Sequence, residues 1–309
     1  GAIADTGRGT LRFQESGVTL NAIGTGGASQ ANMNGAVGIA GDGYGGYVEL
    51  VSFTTQQTPA MGVIDAGNVY LNTSGVGGNG GNAIGANAGG AGGNGFAGTA
   101  NLYGLAAYSQ LTIGNAYLTM DGLGGHGGNG GVGEDTMSAQ NGFAGGLGGS
   151  GRGGRTTIGI VSGPYTTENQ GYANFTNVTA SAKGTGGHGG DGGTATGNGS
   201  NGAGGVGGTG TGGASFTETD VGGVSILARG RPVTISGTAS IDVQGMGGNG
   251  GNNGNSGVSA PGGQGVGGTF GMASTYRYDP NAGAPDPTRP GKIQIASLTA
   301  NMSGVGGLG

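Results

Sequence analysis

Two histidines have the clearest capacity for chemistry in this chain, and they stand in matching places. His126 lies in GLGGHGGNGG from Gly122, and His188 lies in GTGGHGGDGG from Gly184. A polar residue follows three places on in each case, Asn129 in one and Asp191 in the other. Two imidazoles and a carboxylate could hold a transition metal if the two segments lay side by side. The competing reading is structural, because Asn79 and Asn249 take the same place in GVGGNGG and GMGGNGG. A place that accepts Asn or His needs a polar side chain rather than a ligand. No metal and no other cofactor is therefore expected, and His126, His188 and Asp191 are the residues a metal would use.

The carboxylates offer a second chemistry. Cleavage of a glycosidic bond needs paired carboxylates on one face, and Asp121 and Asp242 lie on the second strand but two repeats apart, with Lys183 between. Glu49, Glu218 and Asp220 fall on other stretches. The chain is therefore not expected to be an enzyme, and a polysaccharide-degrading activity is the remote alternative. Matches to G-x-G-x-x-G arise by accident among 88 glycines, and none opens a helix or leads to GK[ST]. A calcium roll needs an Asp in each copy, and Asp191 stands alone in its position. Cysteine chemistry is excluded because there is no Cys.

The elements that carry these residues repeat. A glycine tract opens at Gly24, Gly75, Gly122, Gly184, Gly245 and Gly304. Four places before each opening glycine lie Leu20, Leu71, Leu118, Ala180, Ile241 and Ala300. The places two and six before are also apolar, with Thr73 the one exception, while the places between are mostly polar, such as Asn72, Thr119 and Asp242. Alternation of this kind marks a strand with one buried face. A shorter strand precedes each copy across a corner, and a third follows each glycine excursion, as in YVELV from Tyr47 and VSILA from Val224.

Three strands per repeat describe one coil of a solenoid that buries its apolar face only against its neighbours. The expected fold is all-β: a right-handed parallel β-helix of about six three-strand coils, forming a single elongated repeat domain over 1–309. The long insertions all fall between the second and third strands, so the glycine tracts should leave on one side. Their guests come every third residue, the period of an extended polyproline-II-type helix. Stacked arms of this polyglycine-II-like kind would place Asn79, His126, His188 and Asn249 in one ladder. Arm tips such as EDTMSAQN from Glu134 and TATGNGSN from Thr194 should be exposed. TTQQTPA near Thr54, PYTTENQ near Pro164 and RYDPNAGAPDPTRP from Arg277 read as irregular loops.

Composition limits the partners. The net charge is −5 and the ten Lys and Arg are scattered, so there is no basic stripe for nucleic acid. No apolar run is long enough for a membrane span. Thr, Asn and Tyr on outer faces suit glycans or surfaces better than the regular Thr array that ice demands. The start at Gly1 without a signal peptide reads as a processed or excerpted segment. The final GVGGLG, which has no return arm, suggests a coil completed by following sequence or by a neighbouring copy.

The strand-plus-GG pattern resembles the passenger regions of autotransporters and filamentous-haemagglutinin-type adhesins. The GGxGGxGG arms look like the polyglycine helices of some phage tail-tip adhesins and of small glycine-rich antifreeze proteins. The first resemblance implies secretion, an extracellular or cell-surface location, and a role in adhesion or scaffolding. It also accords with head-to-tail self-association into a filament.

Overall fold

The computed structural model describes residues 2–4, 9–13, 17–53, 62–105, 109–132, 140–161, 171–214, 223–279 and 284–309. Among them the regular structure is strand, apart from one 3-10 turn at Gly254–Ser256. No helix there is long and apolar enough to cross a membrane.

Strands of successive repeats stack in parallel, the arrangement of an all-β solenoid. In one sheet Thr10–Phe13 and Val18–Asn21 pair with Val63–Asn72, followed in order by Gln110–Thr119, Tyr172–Ser181, Pro232–Asp242 and Lys292–Asn301. In a second sheet Ala2–Ala4 is followed by Tyr47–Phe53, Thr99–Leu105, Thr156–Val161, Val224–Arg229 and Phe270–Asp279. The third-strand pattern is not legible at Ala2–Ala4, because three apolar residues are too few to show alternation.

The inward residues of the two sheets meet in one apolar cluster, with Leu50, Leu102, Ile158 and Ile226 from the second sheet and Ile64, Leu111 and Ile235 from the first. The ladder positions lie in register from row to row. Leu20 pairs with Leu71, Leu71 with Leu118, Leu118 with Ala180, Ala180 with Ile241, and Ile241 with Ala300. The four middle members are each 1% exposed. Burying a side chain of the Leu or Ile size stabilises by roughly 1.5–3 kcal/mol. Leu20, in the first copy, is half-buried, and Ala300, in the last, is exposed.

Two sequence expectations change. In the copies from Val63 onward the first and second strands are not separate: Val63–Asn72 is one ten-residue run. The corner lies inside it. Ile64 and Ala66 point inward, then Gly67 and Asn68 shift the alternation so that Val69 and Leu71 point inward. Asparagines line this bend in a ladder: the Asn115 amide donates to Asn68 Oδ1, the Asn177 amide to Asn115 Oδ1, and the Thr238 N–H to Asn177 Oδ1, each at 2.9 Å. The segment from Arg277 is not wholly irregular either, since Ala284–Pro290 pairs antiparallel with the end of Phe270–Asp279.

The glycine tracts form a blade of two hydrogen-bonded layers. Outgoing arms pair row to row from Gly24–Thr25 through Gly75–Val76, Gly122–Leu123, Gly184–Thr185 and Gly245–Met246 to Gly304–Val305. Return arms pair likewise from Gly43–Tyr44 through Gly95–Phe96, Gly151–Arg152 and Gly210–Thr211 to Gly265–Val266.

Candidate functional site

Every backbone N–H in the blade needs an acceptor, and the three residues of each triplet find theirs in three directions. The first glycine donates along its own layer, as from Gly77 to the Leu123 carbonyl at 2.8 Å and from Gly80 to that of His126 at 2.7 Å. The second glycine donates across to the other layer. Gly93 donates to Gly78, Gly125 to Gly93, Gly149 to Gly125, Gly187 to Gly149 and Gly208 to Gly187, all at 2.8 Å. This zigzag weaves each return arm between two outgoing arms.

Where the preceding guest is Asn, Asp or His, its side chain accepts the guest N–H. The His126 N–H donates to Asn79 Oδ1 at 2.9 Å and that of His188 to His126 Nδ1 at 3.0 Å. Asn249 donates to His188 Nδ1 at 2.8 Å, and Leu308 to Asn249 Oδ1 at 2.9 Å. The next rank repeats the scheme, with Asn129 on Asn82, Asp191 on Asn129 and Asn252 on Asp191. Asn, Asp and His share an acceptor at the same reach from the backbone, which is why they interchange here.

The structure thus brings His126 and His188 together, but as a structural pair. Their rings are stacked at 4.9 Å and 2°. An Nδ1 that accepts an N–H carries no proton, so the neutral ring holds its proton on Nε2. That leaves no lone pair on either outer nitrogen, and parallel rings do not converge on one ion. Asp191 lies in the neighbouring rank and also accepts a backbone N–H. Burial, and then the charge of the neighbouring His188, lower the His126 pKa below the usual histidine value, which favours the same neutral form.

Asp121 and Asp242 do not face each other as an acid pair. Asp121 Oδ1 accepts the Ser181 hydroxyl at 2.6 Å and the Lys183 N–H at 2.8 Å. Lys183 Nζ lies 3.9 Å from Asp242 Oδ2. The three form a column that ties adjacent rows. Glu49 accepts the hydroxyls of Tyr47 and Tyr103. Burial and this carboxylate raise the pKa of both tyrosines. Glu218 and Asp220, the tip from Glu134, and the loops near Thr54 and Pro164 lie mostly or wholly outside the described residues.

One cluster was missed at the sequence level. Where the return arms run into the second sheet, Tyr44 stacks on Phe96 with centroids 5.0 Å apart, and Phe96 pairs in register with Arg152. Three residues on, Tyr47 pairs with Thr99, which bridges to Arg155. The signal was available: aligning the return arms on Gly43, Gly95 and Gly151 superimposes Tyr44, Phe96 and Arg152.

No protein-family model matches the chain, and comparison with curated proteins and with solved structures found no significant match to either.

Proposed function

We propose that this is a non-enzymatic structural protein of an extracellular surface or matrix, an adhesin- or filament-type scaffold that stacks head to tail. In this reading the body is a right-handed parallel β-helix of about six three-strand coils, and the blade is a polyglycine-II-like lattice on one side. The observation that carries it is the congruence of the rows. Leu71, Leu118, Ala180 and Ile241 are each 1% exposed because each lies in register between two like rows. A strand row with apolar side chains behind it is a template for a further congruent row. A repeat that matches its neighbour by translation propagates without closing.

Electron microscopy and sedimentation across a concentration series test this. End-to-end particles that lengthen with concentration are expected, and Leu298→Lys should shorten them while leaving the circular dichroism spectrum unchanged. A protein that stays monomeric at every concentration overturns the assembly. A second reading, glycan recognition, is favoured by the aromatic and cationic cluster beside the return arms.

A further inference from the structure

An asparagine followed by glycine is chemically labile, because the glycine nitrogen has no adjoining Cβ to shield it. That nitrogen attacks the Asn side-chain carbonyl carbon, ammonia leaves, and a succinimide ring closes. Water then opens the ring to Asp, or to isoaspartate, whose main chain runs through Cβ. The chain has nine Asn–Gly steps. Attack requires the glycine nitrogen to move and to lose its proton, so a hydrogen bond from that N–H opposes it. Within the layers of the blade, Gly80, Gly95, Gly130 and Gly250 donate to carbonyls of the next row at 2.7–2.9 Å. Around the arm tips, Gly35, Gly142, Gly199 and Gly202 donate to carbonyls at 2.8–3.2 Å. The ninth glycine, Gly254 after Asn253, has no acceptor for its N–H among the described residues.

Asn253 also differs at its side chain. Its Oδ1 accepts the Gly204 N–H at 2.6 Å, which polarises the amide carbonyl and stabilises the oxyanion that forms on attack. With ψ at 88° the Gly254 nitrogen lies away from Cβ, so the ring closes only after the peptide between the two residues flips. Glycine at 254, already at a φ of 42°, accepts the flipped geometry. No hydrogen bond from its N–H has to break. What holds this peptide is the Asn253 carbonyl, which accepts the Ser256 N–H at 3.0 Å and the Ser256 hydroxyl at 2.6 Å.

We propose that Asn253 is the residue at which this protein deamidates, spontaneously and with water as the only co-reactant. The bond from the Gly254 nitrogen to Asn253 Cγ forms, the Cγ–Nδ2 bond breaks, and the Gly254 proton leaves with the ammonia. An oxygen from water enters the new carboxylate. Conversion to Asp keeps an acceptor at the same reach, as Asp191 shows by accepting the Asn252 N–H at 2.7 Å. Conversion to isoaspartate lengthens the main chain by a methylene and displaces that acceptor. The turn at Gly254–Ser256 is then untied from the return arm that carries Gly204. Elsewhere the bonds that build the blade also shield its asparagines, and this holds whether or not the molecule assembles.

Incubation of the folded full chain in mildly alkaline heavy-oxygen water, followed by peptide mapping with mass spectrometry, is the test. Each converted asparagine is marked by solvent oxygen, so all nine steps are read in one sample. Asn253 should convert roughly tenfold faster than any other, the factor that one hydrogen bond supplies. In denaturant, where no N–H is held, that lead should vanish. Ser256→Ala, which frees one of the bonds to the Asn253 carbonyl, should raise the Asn253 rate roughly fivefold with thermal melting unchanged. Should Ser256→Ala lower the melting temperature, the comparison of folded with denatured chain decides alone. The proposal is overturned by any of four results: another step converting as fast in the folded chain, no conversion of Asn253 while the denatured chain reacts, an equal lead for Asn253 in denaturant, or an unchanged Asn253 rate in a Ser256→Ala variant of parental stability.

Discussion

At the scale of single residues, one side chain departs from what its neighbours in the stack do. Thr73 occupies an inward place that Ala22, Met120, Ala182, Val243 and Met302 take in other copies. It is fully buried, and its hydroxyl has no hydrogen-bond partner. An orphaned buried hydroxyl is destabilising, so Thr73→Val, which keeps the shape, should stabilise by about 1 kcal/mol in denaturant unfolding. The histidine ladder behaves differently. A ring that accepts through Nδ1 must lose that bond when it is protonated. The folded pKa of His126 lies below its ordinary 6.5, so the unfolded chain takes up the proton first as pH falls. Its stabilisation is complete above about 6.5 and is lost as pH drops through the lower folded value. The variant carrying His126→Asn and His188→Asn keeps both acceptors and removes the His126 titration. Thermal melting between pH 7.5 and 5 should therefore fall by less in the variant than in the parent.

The arms are where the element scale decides stability, and here glycine is required by distance. A Cβ on Gly149 would stand 1.9 Å from the Gly93 carbonyl oxygen, whereas one on Gly38 would meet nothing within 4 Å. Gly149→Ala should cost at least about 3 kcal/mol or prevent the blade from forming, since overpacking beyond a methylene is not absorbed. Gly38→Ala should be within about 0.5 kcal/mol of the parent, the usual range for an exposed change. Equal effects in chemical denaturation would mean that the layers are not closely apposed. Amide hydrogen exchange offers a second view: Gly125, Gly149 and Gly187 should be protected far beyond free peptide.

Much of this element was readable in the sequence, because a guest every third residue fixes which positions face the neighbouring arm. The inward ladder through Leu71, Leu118 and Ile241 was readable for the same reason, since period-2 alternation survives in every copy. Other features were not. The bend at Gly67 and Asn68 changes the parity of the strand without breaking its pairing, so in sequence it looks like a gap between two strands. The Tyr44, Phe96 and Arg152 cluster joins three dissimilar residue types, and only register in space makes them one column. The role of His126 turned on which nitrogen accepts an N–H, which no spacing encodes.

For the whole molecule, position along the stack sets the value of a contact. Leu118 and Leu298 come from equivalent strands, but the first is 1% exposed and the second 41%. Leu118→Ala should destabilise by about 2–5 kcal/mol, the range for a buried Leu, and Leu298→Ala by less than about 1 kcal/mol in dilute solution. If rows add end to end at high concentration, the Leu298 penalty should grow with protein concentration, while that of Leu118 stays constant.

The woven blade has one further outcome. Its interior holds peptide groups against peptide groups and almost no hydrocarbon, so melting it wets polar surface. Wetting polar surface lowers the heat capacity, by about 0.26 cal/K/mol per Å², whereas wetting apolar surface raises it. Calorimetry of the full chain should give an increment on unfolding below the usual ~12 cal/mol/K per residue. The free-energy curve then flattens toward low temperature, and chilling slackens this molecule less than it does a protein of equal length held by an oily centre.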